Sequence, residues 1–350
     1  MTIAPRPLFA SRRTLLAALA CGSASSALAA CGVAGTAGRE QTTDGPGSSE
    51  VAYDGAGFTT ADAETAKLGT DAAPGSFPRT IRHAMGETAL AAKPTRVVAL
   101  DTGENDALLA LGITPVAIAV TEGANPVPTY LADRLHDAAH VGTIKAINLE
   151  AIAAAEPDLI LTSQLRHEKL YDQLSAIAPT VMSIRPGFPW KENLRLYAAA
   201  VGAEDAATRL LETYSRRAEE IRSAHDGSLR VSMLRFMPGK IRLYGRKSLV
   251  GVVLHDCGLG RPANQDVDDL ATEISAESIG EADGDLLLYS SYGDPSATGE
   301  NDITAGSAWK AIPAVADGRA HRVEDDVWFL GLGPIGAGLL MDGLEELISR

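Results

Sequence analysis

The stretch Asn148-Leu149-Glu150-Ala151-Ile152, followed by Asp158-Leu159-Ile160-Leu161, returns 127 residues later as Ser275-Ala276-Glu277-Ser278-Ile279, followed by Asp285-Leu286-Leu287-Leu288. Each copy reads as a polar cap residue, a glutamate two positions on, one short helix, and an aspartate that introduces a buried strand. Asn and Ser are ordinary N-caps and any helix-to-strand unit begins in this way, so the motif by itself is short. Its surroundings repeat as well. Each copy lies downstream of a strand, a polar loop and a helix ending near a Gly-to-Pro turn, Gly112 to Pro115 and Gly258 to Pro262. Two similar α/β lobes are the simplest summary.

Upstream of the first copy, Arg79–Ala84 and Glu87–Ala92 flank a turn at Gly86. Arg96–Leu100, Val116–Val120 and Leu159–Leu161 are short, nearly unbroken apolar runs, as expected of parallel strands covered on both faces. Between the two copies, Leu194, Tyr197, Val201, Leu210, Leu211, Tyr214, Ala218 and Ile221 fall at helical spacing within Trp190–Ala224, with Gly202 as a point of kinking. The expected fold class is therefore α/β: two Rossmann-like lobes with central parallel sheets (79–189 and 227–350), joined by a single long helix (190–226). The ligand cleft is expected between the lobes.

The 350 residues carry 31 Lys and Arg against 45 Asp and Glu, a formal charge of −14, which argues against nucleic acid as a partner. Residues 1–30 hold three arginines and no acid before an Ala- and Leu-rich stretch, the layout of an export signal. Ser11-Arg12-Arg13-Thr14-Leu15-Leu16 resembles a twin-arginine signal; an ordinary basic n-region leads out of the cytoplasm equally well. Leu28-Ala29-Ala30-Cys31 resembles a bacterial lipobox, which implies a diacylated Cys31 at the new N-terminus. Loss of residues 1–30 takes the formal charge from −14 to −17. Residues 31–78, rich in Gly, Ala, Thr, Asp and Pro, read as a flexible tether. Cys257 is then the one unmodified thiol, expected as a buried small hydrophobe.

Taken in order, Arg96–Gly112, Val141–Leu161, Leu170–Val181, Trp190–Leu194, Val231–Pro262 and Ala308–Trp328 resemble the substrate-binding lipoproteins of ABC importers, of the iron-siderophore and ferric-citrate class. Arg242-Leu243-Tyr244-Gly245 with Gly258–Pro262 is most similar to actinobacterial siderophore binders. The resemblance implies a monomeric, non-enzymatic binder, lipid-anchored on the outer face of the cytoplasmic membrane, that hands a ferric siderophore to permease subunits. It also implies that Glu150 and Glu277, one per lobe, dock onto those subunits. No cofactor is expected, and no protein side chain is expected to ligate the iron directly.

Ferric siderophores present anionic oxygens, for which arginine offers a planar fork of donors and aromatic rings offer stacking. Within this acidic chain, Arg235, Lys240, Arg242, Arg246 and Lys247 form a local basic run across a strand, a loop and a second strand. Arg235, Arg242 and Tyr244 are the candidate ligand residues there. Thr102, Glu104 and Arg166 follow strand ends of the first lobe, where open α/β sheets bind ligands. Trp190 and Trp328 are candidate aromatic walls, with Arg185 a further candidate beside Trp190. Haem or cobalamin binding, with Tyr244 or His255 as axial ligand, and a scaffold that has lost transport are the competing readings. Gly331-Leu332-Gly333-Pro334-Ile335-Gly336 matches a dinucleotide fingerprint, but the chain ends before the required acidic residue and Pro334 removes an amide. His136 and His140 have ligand spacing without a third ligand, and no G-x-S-x-G provides an esterase nucleophile.

Overall fold

In a computed structural model, which describes residues 57–348, the chain folds from three sheets. Strands β1 (Arg79–His83) and β2 (Gly86–Leu90) form a separate antiparallel hairpin. The first large sheet contains β3 (Val97–Ala99), β4 (Ala117–Val120), β5 (Ala139–Thr143), β6 (Ala146–Ile147), β7 (Leu159–Ser163) and β8 (Thr180–Ser183) in the order β6-β5-β4-β3-β7-β8. Every pairing in it is parallel except β5 with β6. Strands β3, β7 and β8 are buried at every position, which is why their sequences show no polar alternation.

The second sheet contains β9 (Val231–Met237), β10 (Lys240–Tyr244), β11 (Ala271–Ile274), β12 (Leu286–Ser291) and β13 (Ala320–Arg322), in the order β11-β10-β9-β12-β13. It is mixed. β9, β12 and β13 run parallel, whereas β9, β10 and β11 form an antiparallel meander. The sequence-level expectation of a parallel centre holds for half of this sheet. The two-residue turn Pro238-Gly239, with Gly239 at φ 76°, folds β10 back onto β9.

The duplication has a structural counterpart. Asp158 accepts hydrogen bonds from the Arg96 and Thr95 amides at 2.8 Å, and Asp285 accepts from the Arg230 amide at 2.9 Å. In both lobes this aspartate fixes the entry of its own strand (β7 or β12) against the entry of the parallel neighbour (β3 or β9). The helical halves differ: Leu149–Ala154 is α-helical, whereas Ala276–Ala282 is a 3-10 segment.

Four helices frame the two sheets: α1 (Thr102–Ala110), α2 (Trp190–Val201), α3 (Glu204–Ser223) and α4 (Pro334–Ile348). The single connecting helix expected over 190–226 is thus two helices. Gly202 ends α2 at φ 65°, the Ala203 amide returns to the Ala198 carbonyl, and a Cβ on Gly202 would lie 2.7 Å from the Phe77 ring. One apolar cluster runs from Val97 and Leu161 of the first sheet through Leu194 and Leu211 to Leu254 and Leu340, so both lobes share a core along these helices.

Packed structure also begins earlier than Arg79. Ala61–Thr65 is a short helix, and Phe58 is buried edge-on against Phe188, with ring centroids 5.6 Å apart. The tether expected over 31–78 therefore does not include residues 57–78. The export signal, Cys31 and the rest of the tether lie outside the described residues.

Candidate functional site

The carboxyl ends of the parallel strands in both sheets open onto one cleft, the place where open α/β sheets bind ligands. It encloses about 930 Å³ of space free of atoms, part of it open solvent. From the first lobe come Thr102, just after β3, Lys145 in the β5–β6 turn, and Arg166, just after β7. Asp101 anchors this side. It caps α1 by accepting from the Thr102 amide at 2.7 Å and takes the Arg166 Nε–H at 2.8 Å. Lys145 lies 2.5 Å from Glu122, just beyond the end of β4.

His167 holds this basic edge together. Its Nε2–H donates to the Ile144 carbonyl at 2.9 Å, and Nδ1 accepts from the Thr162 hydroxyl at 2.6 Å. Burial lowers its pKa, so the ring is neutral and can play both parts. The segment carrying Lys145 is thereby tied to the one carrying Arg166.

From the second lobe, the antiparallel register sets Arg235 of β9 directly opposite Arg242 of β10. Like charges so placed repel. Each has its own carboxylate. Arg235 donates to Asp325 through Nε at 2.7 Å and through Nη2, and Arg242 donates at 3.1 Å to Glu273, its cross-strand partner on β11. Arg235 also donates to the Tyr244 hydroxyl at 3.3 Å and lies 4.5 Å from the Tyr292 ring centroid and 5.1 Å from that of Phe329. Against the cost of burial, Asp325 and Tyr244 hold the Arg235 pKa above its ordinary value. Burial pushes Asp325 upward while Arg235 opposes it. The result is a charged, hydrogen-bonded cluster under an aromatic cover.

Of the residues singled out in the sequence, Thr102, Arg166, Arg235, Arg242, Tyr244 and Trp328 line the cleft. Trp190 and Glu104 do not. Helical phase turns Trp190 into the core, where it meets Tyr214 edge-on at 4.7 Å. Glu104 points behind α1, where it accepts a 2.5 Å hydrogen bond from the Tyr197 hydroxyl. Burial, then the nearby Asp101, raises its pKa to about 7. Within the basic run, Lys247 lines the cleft, whereas Lys240 and Arg246 pair outward with Glu273 and Asp266. Sequence reading missed Lys145, Tyr292 and Phe329. Lys145 and Tyr292 each follow a strand's carboxyl end, which is the signal that points to them.

Glu150 and Glu277 are exposed in the first turns of their segments, after Asn148 and Ser275 respectively. Glu277's own backbone amide and the Ser275 hydroxyl hold its carboxyl below the usual range. The dinucleotide-like glycines are occupied by the protein itself. The Ile335 and Gly336 amides at the start of α4 donate to Asp106 at 2.8 and 2.9 Å, where a pyrophosphate would otherwise sit. His136 lies beside Asp137 on the surface, and among the described residues no three His, Cys, Asp or Glu side chains gather as a metal site.

A family model described as "Periplasmic binding protein" matches residues 97–326. The chain is 37% identical over 290 residues to the probable siderophore-binding lipoprotein YfiY of Bacillus subtilis (strain 168), covering 79% of this chain and 89% of that one. It is 26% identical to the Fe(3+) dicitrate-binding periplasmic protein FecB of Escherichia coli (strain K12), covering 72% and 84% respectively. The crystal structure of Staphylococcus aureus SirA complexed with staphyloferrin B superposes with a TM-score of 0.68 at 31% identity, covering 77% of this chain and 98% of that one. The matched span contains most of both large sheets and most of the cleft-lining residues, and on these grounds the chain belongs to the periplasmic binding protein family.

Proposed function

We propose that the chain is the extracytoplasmic substrate-binding component of an ABC importer and that its cleft captures a ferric siderophore. The observation that carries this reading is the buried pair Arg235 and Arg242, side by side on one hairpin at the cleft, with Tyr292 and Phe329 over Arg235. Two guanidiniums fixed by Asp325 and Glu273 at a cleft wall present preorganised planar donors, which suit an anionic, oxygen-rich chelate. Relatives named for siderophore and ferric-citrate binding support the same ligand class. Of the two axial-ligand candidates for haem, His255 is exposed and outside the cleft lining, and the Tyr244 hydroxyl is engaged by Arg235.

The same reading assigns residues 1–30 to export and Cys31 to lipid anchoring on the outer face of the cytoplasmic membrane. It assigns Glu150 and Glu277 to contact with the two permease subunits, and it takes the protein as a monomer. Tryptophan fluorescence tests the core of it, since Trp328 lines the cleft. Saturable quenching by a ferric hydroxamate, catecholate or carboxylate chelate is expected, and it should be lost in Arg235→Ala with Arg242→Ala. No saturable response to any of the three at micromolar concentration would sink the reading.

A further inference from the structure

Beside the cleft lies a second groove, enclosing about 1470 Å³ of space free of atoms, part of it open solvent. It shares Lys145 and Arg166 with the cleft, so the two adjoin along these side chains. Lys169 and Arg185 add two more cations to its lining, and Glu168 is its one acid among the described residues. That acid is engaged, accepting from the Gln164 side chain at 3.0 Å. Phe58 also lines the groove and stacks on Arg185, with the guanidinium carbon 4.1 Å from the ring centroid. An aromatic ring thereby holds a buried guanidinium in place.

We propose that this groove is a side subsite of the cleft, one that takes a free carboxylate-type arm projecting from a ferric chelate whose iron centre sits over Arg235 and Arg242. The inference rests on the ferric-chelate reading of the cleft and extends it to a ligand class: polyanionic chelates carrying uncoordinated acid groups. Charge supports it: Lys145 and Arg166 are held at the shared edge by Glu122 and Asp101, and Lys169 and Arg185 extend that basic edge into the groove of an otherwise acidic protein. Arg185 points the same way. Burial, and then the charge of Arg166, pull its pKa down to about 9 against the opposing influence of Asp269, and a bound anion would relieve that pull.

The test is calorimetric titration of the full exported chain with ferric dicitrate, which carries free carboxylates, and with a ferric trihydroxamate, which carries none. Lys169→Glu is the main variant, because Lys169 is exposed and its reversal leaves the packing intact. Arg216→Glu, an equal charge change on the exposed face of α3, controls for net charge. Lys169→Glu should weaken ferric dicitrate about three- to tenfold relative to Arg216→Glu. The gap should narrow as salt rises. Equal affinities in the two variants overturn the subsite and leave the family reading standing. So does a wild-type protein that binds the trihydroxamate and not ferric dicitrate. A wild-type protein that binds neither chelate overturns the ferric-chelate reading itself, and the subsite with it.

Discussion

At the scale of single residues, the cleft is lined by buried charges, each held by a carboxylate partner. Tyr292 illustrates the aromatic side of it: its ring covers Arg235 at 4.5 Å, where desolvation strengthens the attraction between cation and ring. Tyr292→Ala should weaken ferric-siderophore binding by about three- to thirtyfold in the fluorescence titration. Its thermal midpoint should stay near wild type, because the ring lies at the cleft wall. Glu104 behaves differently, since it lies behind the wall. Its folded pKa of about 7 stands above the ordinary glutamate value of 4.5, because burial and Asp101 disfavour the charge. The folded state therefore holds this proton more tightly than the unfolded chain does. The resulting stabilisation is complete below about pH 4.5 and is lost as pH rises through 7. Glu104→Gln keeps the acceptor for Tyr197 without the charge. It should match wild type near pH 4.5 and exceed it at pH 8, by on the order of 1–3 kcal/mol in denaturant unfolding. A variant that is less stable at pH 8 would show that the carboxylate is better compensated than its surroundings indicate.

At the scale of elements, glycines decide how closely segments approach. A Cβ on Gly331 would meet the Val327 carbonyl at 2.4 Å, one on Gly336 would meet Gly331 at 2.6 Å, and one on Gly333 would meet the Asp106 carboxylate at 2.6 Å. The dinucleotide-like spacing thus records a loop folded tightly onto the start of α4, with Asp106 of α1 as its cap. Asp106→Ala leaves those amides without their acceptor and should cost about 2–3 kcal/mol in denaturant unfolding. Unchanged stability would mean that the cap is replaceable by solvent. These elements also show what a sequence discloses. The hairpin carrying Arg235, Arg242 and Tyr244 is legible, because strand periodicity and a Pro-Gly turn put basic residues into an acidic chain. The break between α2 and α3 is legible only as a kink, because Gly202's left-handed backbone sits against the Phe77 ring, distant in sequence. Trp190 misleads for a related reason: its loop neighbours suggest a cleft wall, while the helix it begins turns it inward against Tyr214. Phe329 and Lys145 escape notice because loop residues carry no periodicity, and only the assembled strand ends show what they face.

At the scale of the molecule, two reciprocal contacts join the lobes. Asp106, from the first lobe, holds the start of α4, while Asp326, just before the cleft residue Trp328, accepts from the Asn125 side chain at 2.8 Å and the Thr129 amide at 3.0 Å. Together with the shared core along α2, α3 and α4, they make the lobes a coupled frame in which large hinge closure would break buried hydrogen bonds. A frame of this kind can present two fixed docking points. Glu150 and Glu277 sit in corresponding positions of the duplicated unit, exposed and outside the cleft lining. A permease with two related subunits is matched by two equivalent carboxylates. Because neither glutamate contributes to the cleft, Glu150→Ala combined with Glu277→Ala should leave the ferric-siderophore dissociation constant within about twofold of wild type. Uptake of the labelled ferric chelate by cells carrying the double variant should nevertheless stop, with each single variant intermediate. A fall in affinity would move these residues into the ligand site. Undiminished uptake would move the permease contact to another part of the surface.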